Sequence, residues 1–359
     1  MVEWKKLGEV CKLERGVRVV KKDLQEEGQI PVYQNSLTPL GYFERSNYPG
    51  NTPFVICAGA AGDVGFSNES FWAADDCTCI VCSSLVNSKY VFYFLLVNQH
   101  LLKSQVRKAS VPRLSKEVIG KLLIPVPSLF EQNRIVGILD TFTASIENLK
   151  EQIVQRRKQF EHYRDQLLDL EGKDGVEMKT LGEICDIKGR IGFRGYTRED
   201  QVSKGEGALT LTATNIVNQH IDYRNNTYIT WEKYYESPEI MVKEGDIIVC
   251  QRGSIGKIAI IENLQEKATI NPQLLLLKNI KCNNRFLIHY LLSMYFQDSL
   301  NKIIGHGTVQ MIAQKDLKEL QIPMIGNDEQ SRIVSILDTF EASIANLEAQ
   351  LSQREKQYE

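Results

Sequence analysis

Residue types that often carry out catalysis occur in this chain, but they do not fall into a recognisable catalytic motif. None of the five histidines belongs to the His-Glu-x-x-His pairing of zinc hydrolases, and no glycine-rich phosphate loop for a nucleotide is present. Asn271-Pro272-Gln273 is the nearest approach to the Asn-Pro-Pro-aromatic motif of DNA adenine methyltransferases, but it lacks the second proline and the aromatic residue. The sequence therefore predicts a chain with no catalytic residues and no cofactor of its own.

The cysteines offer one candidate for metal binding. Cys77, Cys79 and Cys82 cluster in a run typical of a strand, where they are either zinc ligands or small buried side chains. Because the run has no second cysteine pair and no histidine nearby, we favour burial and predict no metal. Cys11 and Cys185 occupy equivalent positions of an internal repeat, so we expect both in a core.

The strongest pattern in the chain is a repeated segment. EQNRIVGILDTFTASIENLKEQIVQRRKQFE, residues 131–161, returns as EQSRIVSILDTFEASIANLEAQLSQREKQYE, residues 329–359, with 21 of 31 positions identical at an offset of 198. Shorter matches precede it: residues 3–13 match 177–187 at an offset of 174, and residues 87–97 match 283–293 at 196. The chain is therefore two tandem units, and the rise in offset from 174 to 198 places 24 extra residues within the second.

Each repeated segment is predicted to be a long helix with a heptad seam. The helices follow the Ile-Pro pairs at Ile124 and Ile322, where a preceding short helix should stop. Because the two seams are nearly identical, we expect the helices to pair with each other as an antiparallel coiled coil. Arg156 and Arg354 interrupt the two seams at the same place. Their stems either lie along the seam with the charge in water, which we favour, or pair with acids across it.

Four segments are predicted: globular domains at residues 1–130 and 173–328, and helical regions at residues 131–172 and 329–359. Strand-like runs such as residues 54–58 and 246–251 alternate with helical ones, predicted over residues 90–102 and 286–300, which indicates a small α/β or α+β fold in each domain. Phe71, Trp72 and Trp231 are interpreted as core residues. The second helical region ends where residue 161 stands in the first, so the helix pair is shortened there if the chain is truncated.

Composition excludes several classes of protein. The chain is 43% hydrophobic and 25% charged, with a net charge of −2, which is ordinary for a folded protein and gives no sign of a basic nucleic-acid surface. No run of about 18 apolar residues occurs, and the N-terminus lacks an apolar signal core, so we expect a cytoplasmic protein without a membrane span.

The order of motifs, present twice, resembles the specificity subunit of type I restriction-modification systems. The resemblance covers the whole chain. It rests on the helical repeat, the lead-ins IPVPSLFEQ and IPMIGNDEQ, the domain starts WKKLGE and MKTLGE, and the glycine-turn segments GDIIVCQRGSIGKIAII and, more weakly, FVICAGAAGDVGFSNESFWAADD. It implies two target-recognition domains that each read one half of a bipartite, asymmetric double-stranded DNA site, with the helices setting the spacing.

The resemblance also implies partners. Two methyltransferase subunits would dock on the chain, motor-nuclease subunits would join the full complex, and S-adenosylmethionine, ATP and magnesium would belong to those partners. Two other functions stay open: a stand-alone DNA methyltransferase or nuclease with an unrecognised motif, and a coiled-coil scaffold for protein interactions. Docking of two identical partners is expected on the part of the helices that both copies present alike, at Arg134, Asn148, Gln152, Arg332, Asn346 and Gln350.

Candidate DNA-binding residues are polar or basic side chains in loops, since arginine can bind guanine and asparagine or glutamine can bind adenine in the major groove. In the first domain they are Arg15, Arg18, Lys21, Lys22, Gln34, Asn35, Ser36, Lys108, Ser110 and Arg113. In the second domain they are Arg190, Arg194, Tyr196, Thr212, Asn215, Arg252, Ser254, His306, Thr308 and Gln310.

Overall fold

A computed structural model describes residues 2–20, 22, 24–25, 28–108, 110–192, 195–304 and 310–358. The chain forms two compact units, residues 1–147 with 354–359 and residues 148–353. Each unit therefore contains one globular domain together with parts of both long helices. In the described part of the chain, no helix combines the length and the apolar character that crossing a membrane requires.

The first globular domain consists of short strands and helices that lead into the first long helix. Its strands are β1 (Glu3–Lys6), β2 (Cys11–Arg15), β3 (Ile30–Tyr33), β4 (Gly41–Phe43), β5 (Thr52–Ile56), β6 (Val64–Ser67), β7 (Trp72–Ala73), β8 (Cys77–Cys82) and β9 (Leu123–Val126). Its helices are α1 (Leu7–Val10), α2 (Ser88–Val97), α3 (Gln99–Ser104), α4 (Lys116–Lys121) and the long α5 (Leu129–Leu168).

Three sheets organise this domain. The main sheet is antiparallel in the order β2-β8-β5-β6, a smaller one has the order β4-β3-β7, and β1 pairs with β9. Among the described residues, the strand partner of β9, which contains Pro125, is β1 alone, so the missing N–H of this proline interrupts no central ladder. The run Thr52–Ile56 is buried at every position because one face of β5 meets α2 and the other meets an aromatic cluster around Phe71.

The second globular domain repeats this plan with more strands. These are β10 (Glu177–Thr180), β11 (Asp186–Gly189), β12 (Gln201–Val202), β13 (Gly207–Leu211), β14 (Ile216–Val217), β15 (His220–Ile221), β16 (Thr227–Thr230), β17 (Met241–Val242), β18 (Ile247–Cys250), β19 (Ile258–Ile260), β20 (Ala268–Ile270), β21 (Leu274–Lys278) and β22 (Gln321–Met324). The helices are α6 (Leu181–Ile184), α7 (Trp231–Tyr235), α8 (Asn284–Leu291), α9 (Met294–Lys302), α10 (Gln314–Lys318) and α11 (Asn327–Tyr358).

The two domains share one topology, as the repeat predicts. The order β11-β21-β18-β19 matches β2-β8-β5-β6, and β10 pairs with β22 as β1 pairs with β9. The parallel pair β13-β20 corresponds to β3-β7, although β13 belongs to a five-stranded sheet. The mixed, mostly antiparallel sheets make each domain α+β. Much of the additional chain in the second domain forms β12, the β14-β15 hairpin and α7.

Within each unit the two long helices run antiparallel, as predicted. In one unit the ring of Tyr163, near the end of α5, stacks on Phe340, near the start of α11, at 5.3 Å. In the same unit Arg156 lies over the ring of Phe340 at 5.9 Å. In the other unit its counterpart Arg354, near the end of α11, lies over the ring of Phe142 at 5.4 Å. The two seam arginines therefore make cation–π contacts with a phenylalanine of the opposite helix, rather than ion pairs with acids.

Three details of the sequence prediction are wrong. The helix expected over residues 90–102 is divided into α2 and α3, because the side-chain amide of Asn98 donates to the Phe94 carbonyl and ends α2. The helix expected over residues 286–300 is likewise divided where the Ser293 hydroxyl donates to the Tyr290 carbonyl. Phe71 and Trp72 are core residues as expected, but Trp231 is 38% exposed on α7.

Candidate nucleic-acid interface

In the first domain, a turn containing two glycines connects two of the predicted DNA-binding loops. The amide of Ala60 donates to the Asn35 carbonyl at 2.9 Å, and the amide of Gly59 donates to the Pro112 carbonyl at 3.3 Å. The segment Gln34–Ser36, which follows β3, thereby meets the loop that carries Lys108, Ser110 and Arg113. Both loops were predicted from the sequence separately, and the structure brings them together at this turn.

Gly59 is required at this meeting point for two reasons. Its φ is +85°, in the left-handed region that side-chain-bearing residues rarely adopt. A Cβ atom placed there would also lie 2.8 Å from the Asn35 carbonyl oxygen and from its Cβ. Any substitution would therefore separate the Asn35 loop from the turn.

Basic side chains border a cavity of about 400 Å³ in this part of the domain. Arg107 and Arg113 line it together with Ser110, and their backbones form an antiparallel bridge. Lys108, Ser110 and Arg113 are all exposed, as a direct contact with DNA requires. Phosphate contacts from such arginines would position the domain, whereas contacts with base edges would give sequence selectivity.

The predicted loop after β2 is less uniform. The Arg15 guanidinium donates to the Asp75 carbonyl at 2.6 Å and lies 4.0 Å from the Asp75 carboxylate, so part of its donor capacity is used within the domain. Arg18 and Lys22 are exposed, as is Asn35, while Gln34 and Ser36 are half-buried. Lys21 lies outside the described residues.

The second domain builds the same kind of cluster around its own glycine turn. Arg252 forms an antiparallel bridge with Met311, and the amide of Ile312 donates to the Gln251 carbonyl at 3.0 Å. Arg252, Ser254 and Gln310 are exposed, so the structure brings three predicted residues to one surface. Arg194, His306 and Thr308 lie outside the described residues.

The corresponding turns differ in charge. Gly253 and Gly256, with φ of +78° and +84°, correspond to Gly59 and Gly62 at an offset of 194. Between and beside them the second domain carries Arg252, Ser254 and Lys257, whereas the first carries alanines and Asp63. The Asp63 carboxylate is held by Lys103 at 2.8 Å. One backbone geometry therefore presents two different sets of side chains.

Two predicted residues of the second domain lie inside it. Arg190 is 8% exposed, donates to the Ile270 carbonyl and the Thr269 hydroxyl at 3.3 and 3.1 Å, and lies 5.3 Å from the ring of Tyr196. Burial lowers the pKa of Arg190 and raises that of Tyr196, which is itself half-buried. The environment of Arg190 is that of a structural arginine, because its donors are directed at the domain's own strands.

Asn215 is also internal, with 2% exposure. Its side-chain carbonyl accepts from the Thr212 amide at 2.9 Å, and its amide donates to the Asp222 carbonyl at 3.0 Å. Thr212 is half-buried and occupies the position after β13 that Gln34 occupies after β3. Asn215 therefore stabilises this turn from inside the domain. Of the two residues, Thr212 is the one that is partly accessible at the surface.

One group among the described residues has the side chains to hold a metal. The ligand atoms of His289, Asp338 and Glu341 lie within 4.8 Å of one another. However, the Arg285 guanidinium lies 2.7 Å from the Asp338 carboxylate and 2.5 Å from that of Glu341, so a cation already neutralises the acids. This set favours an ion-pair network over a metal site. Cys77 and Cys79 are buried in β8, and Cys82 contacts Cys11.

The six residues predicted to dock partner subunits are all exposed: Arg134, Asn148, Gln152, Arg332, Asn346 and Gln350. Both arginines make the same local ion pair, Arg134 with Glu131 at 3.0 Å and Arg332 with Glu329 at 2.6 Å. The two helices thus present the same chemistry at these positions.

Sequence reasoning missed two buried glutamines at the start of the long helices. Gln132 accepts from the Asn87 amide at 2.8 Å and donates to the carbonyls of Leu85 and Pro127. Its counterpart Gln330 accepts from the Asn283 amide at 3.0 Å and donates to the Ile325 carbonyl. The available signal was a glutamine identical in both copies, three positions before an Ile-Val pair that is also identical in both.

Comparison with known proteins gives one consistent result. The family model described as "Type I restriction modification DNA specificity domain" matches residues 1–156 and 173–355. The chain is 31% identical to the EcoR124I/EcoR124II specificity subunit of Escherichia coli, covering 100% of this chain and 92% of that protein. It is 25% identical to the MjaVIII specificity subunit of Methanocaldococcus jannaschii, over 77% and 67%.

Solved structures with the same fold also match over the full length. A specificity subunit from M. genitalium aligns with a TM-score of 0.65 at 18% identity, covering 100% of this chain and 94% of that one. A chain from a study of type I restriction-modification complex assembly aligns with a TM-score of 0.63 at 18% identity, covering 99% and 94%. At this identity the structural likeness shows the fold.

Proposed function

The chain belongs to the type I restriction-modification DNA specificity family, and from that membership we propose that its two loop clusters read the two halves of a bipartite, asymmetric DNA site. One observation carries the proposal. The same glycine-turn geometry in both domains presents Arg252, Ser254 and Lys257 in one and alanines with Asp63 in the other. A shared frame with different side chains is what two independent readers of different sequences require.

The long helices would have two tasks. A helix of 40 residues is about 60 Å long, and a paired helix cannot stretch, so the pair would fix the spacing between half-sites. The exposed residues that both helices share would dock two identical methyltransferase subunits, and motor-nuclease subunits would join the full complex. Because each helix carries its own copy of these residues, we propose one methyltransferase subunit per copy.

Catalysis would reside in the partner subunits. S-adenosylmethionine, ATP and magnesium are assigned to those partners, and this chain is proposed to be non-catalytic. The absence of known catalytic motifs from the sequence supports this assignment. Methyl transfer or DNA cleavage by the purified chain alone would contradict it.

The experiment is a selection from random double-stranded DNA by the chain assembled with its methyltransferase subunits. Arg113→Gln and Arg252→Gln are compared with the wild type, each removing one exposed arginine from one loop cluster. Each should alter or relax one half-site and leave the other unchanged, with a loss of about tenfold or more in affinity for the original site. Lys204→Gln is the control, because this exposed lysine lies in the loop before β13, outside the segments that carry Arg252, Ser254 and Gln310.

Two results would refute the proposal. Independent reading is wrong if a single arginine substitution changes both half-sites. Loop-based reading is wrong if neither substitution changes selectivity and both leave the dependence of affinity on salt concentration unaltered.

A further inference from the structure

In each unit, the helix after the main sheet contacts the start of a long helix through a small polar cluster. In the first domain, the Lys89 ammonium lies 2.9 Å from the Asp140 carboxylate. The Tyr93 hydroxyl donates to the same carboxylate at 2.6 Å and lies 3.5 Å from the Thr143 hydroxyl. Tyr93 is buried, so these contacts are part of the junction between α2 and α5.

The second domain has a cluster at the same place with more charge. Arg285 contacts Asp338 at 2.7 Å, Glu341 at 2.5 Å and Glu262 at 3.2 Å. The His289 ring is 1% exposed, and its Nε2 lies 3.2 Å from Asp338. Its Nδ1 has no hydrogen-bond partner among the described residues and lies 3.9 Å from the Glu341 carboxylate.

The offsets of the repeat relate the two clusters member by member. Lys89 and Tyr93 become Arg285 and His289 at an offset of 196, while Asp140 and Thr143 become Asp338 and Glu341 at 198. The aspartate is therefore constant, and the other three positions change together. The Lys89 ammonium contacts one carboxylate, whereas the Arg285 guanidinium, which has five N–H donors, contacts three.

The buried glutamine at the start of each long helix is, like the aspartate, identical in the two copies. In the part of the chain that the structure describes, the hydrogen-bond partners of the Gln132 and Gln330 side chains are main-chain atoms of the segments that they contact. Because main-chain partners exist whatever the side chains are, these bonds make no demand on the sequence of the domain. Position 143, which is 341 in the second copy, is among the few differences in the first half of the helical repeat.

We propose that each globular domain docks on the start of its long helix through contacts of two kinds. The glutamine and the aspartate are constant and fit any domain of this kind. The residue at Thr143 or Glu341 is matched to the domain that docks there. The inference deepens the proposed function, because exchange of a domain would change one half-site. A transferred domain would dock well only if the residue at 143 or 341 moved with it.

Mismatch has a physical cost in both directions. A domain with Arg285 and His289 placed before Thr143 loses one of its carboxylates and leaves the buried imidazole beside a hydroxyl. A domain with Lys89 and Tyr93 placed before Glu341 confronts that carboxylate with a tyrosine whose single proton is already donated to the aspartate. Partly buried polar groups left without partners in this way are destabilising.

The test uses double substitutions that convert one cluster face into the other in the full-length chain. Lys89→Arg with Tyr93→His gives the first domain the face of the second, and hydrogen exchange of the α2 amides reports docking. Exchange should accelerate about tenfold, and adding Thr143→Glu should restore it. Thr141→Glu is the control for added charge, because Thr141 is an exposed residue two positions away.

The reciprocal set protects the test against a variant that fails to fold. Arg285→Lys with His289→Tyr should accelerate exchange in α8, and Glu341→Thr should then restore protection. Equal effects of Thr143→Glu and Thr141→Glu, or no rescue in either set, would overturn the proposal. The measurement uses no DNA, so its failure would leave the proposed function untouched.

A different observation carries a second inference, at Cys11 and Cys82. These residues are partners in the antiparallel β2-β8 ladder, and their sulfur atoms lie 3.4 Å apart. The Ser83 amide donates to the Val10 carbonyl, which makes 11 and 82 a non-hydrogen-bonded pair. Such pairs have Cα atoms about 4.5 Å apart, within the range that a disulfide spans.

The two sulfurs are not equivalent. The Cys11 thiol donates a hydrogen bond to Cys82, which lowers the pKa of Cys82 and raises that of Cys11. Cys82 is also the more exposed of the two. The second domain lacks a cysteine at the position of Cys82: Ile187 pairs with Leu277 as Leu13 pairs with Ile80, which puts Asn279 in that place.

We also infer that Cys11 and Cys82 form a reversible disulfide when hydrogen peroxide oxidises them. The Cys82 thiolate attacks one peroxide oxygen and the O–O bond breaks, giving a sulfenic acid and hydroxide, which takes up the proton that Cys82 released on ionising, while the Cys11 thiol keeps its proton for the next step. The Cys11 sulfur then attacks the sulfenic sulfur, the S–O bond breaks, and water leaves. Two thiols and one peroxide thus become one disulfide and two water molecules.

Peptide mapping of the peroxide-treated full-length chain tests this inference. The expected product is a cross-linked peptide pair containing Cys11 and Cys82, lighter by two hydrogen atoms and restored by dithiothreitol. It should be lost in Cys82→Ser and retained in Cys185→Ser. The inference is wrong if Cys82 is converted to sulfinic acid without a cross-link, or if another cysteine pairs with it first.

Discussion

Replacement of the buried glutamine Gln330 by methionine should loosen the second domain from its long helix. Methionine keeps the length of the side chain but neither accepts nor donates a strong hydrogen bond. The Asn283 amide and the Ile325 carbonyl would then lose their partners, at 3.0 and 2.8 Å in the wild type. A buried backbone group left unsatisfied costs about 1–3 kcal/mol. Because both groups belong to half-buried residues, we expect a total near the lower end, about 2–4 kcal/mol.

Hydrogen exchange is the assay, because a chain with two units need not unfold in one step. The amides of α8 should exchange about 30-fold to several hundred-fold faster in Gln330→Met, while α2 in the other unit should be unchanged. Gln132→Met should give the mirror result, with α2 affected and α8 unchanged.

The matched control is Gln350→Met, an exposed glutamine on the same helix, which should change stability by less than about 0.5 kcal/mol. The reasoning is refuted if Gln330→Met and Gln350→Met behave alike. It is also refuted if Gln330→Met accelerates exchange equally in both units, because the glutamine bonds belong to one unit.

Three further outcomes follow from the geometry. Arg190→Ala should lower the melting temperature of the second unit, because it empties a buried position whose donors serve Ile270 and Thr269; a change in DNA selectivity at unchanged stability would contradict its structural assignment. Arg224 holds the pKa of Asp222 at about 2, so this ion pair contributes above pH of about 4 and is lost as the pH falls through 2; NMR titration should show that pKa rising toward its usual range in Arg224→Gln, while the backbone amide of residue 224 still donates to the carboxylate and keeps the pKa below that range. Alanine at Asn148 and Gln152 should remove one of two bound methyltransferase subunits in a stoichiometry measurement, and alanine at Asn346 and Gln350 the other, whereas loss of both from either pair would show that the two sites are not independent.

Much of the fold could be predicted from the sequence because the same order of motifs occurs in both halves of the chain. The offset of 198 predicted both long helices and their antiparallel pairing, and the run 77–82 predicted β8 with both ends correct. The breaks at Asn98 and Ser293 were missed because each depends on one side chain bonding a carbonyl of the preceding turn. Such local capping competes with an apolar pattern that continues on both sides.

The candidate interface was less predictable than the fold. Residue type and loop position selected Arg113 and Arg252, which are exposed, and on the same grounds Arg190 and Asn215, which are buried. Arginine and asparagine are as useful for satisfying strand ends and tight turns as for contacting DNA. Whether such a residue is buried or exposed depends on where the fold places it, and that placement depends on pairing between strands that are distant in sequence.

The contacts of Arg156 with Phe340 and of Arg354 with Phe142 have a consequence for how such a molecule can arise. Each long helix carries both the donor and the acceptor of the same contact, a phenylalanine and, fourteen positions later, an arginine. The seam is therefore self-complementary, because each helix supplies a phenylalanine to the arginine of the other and an arginine to its phenylalanine. A polypeptide of half the length, with one domain and one helix, would hold everything needed to remake both contacts with a second copy of itself. Joining two such halves in one gene frees each domain to change its sequence without the other, while the seam stays symmetric.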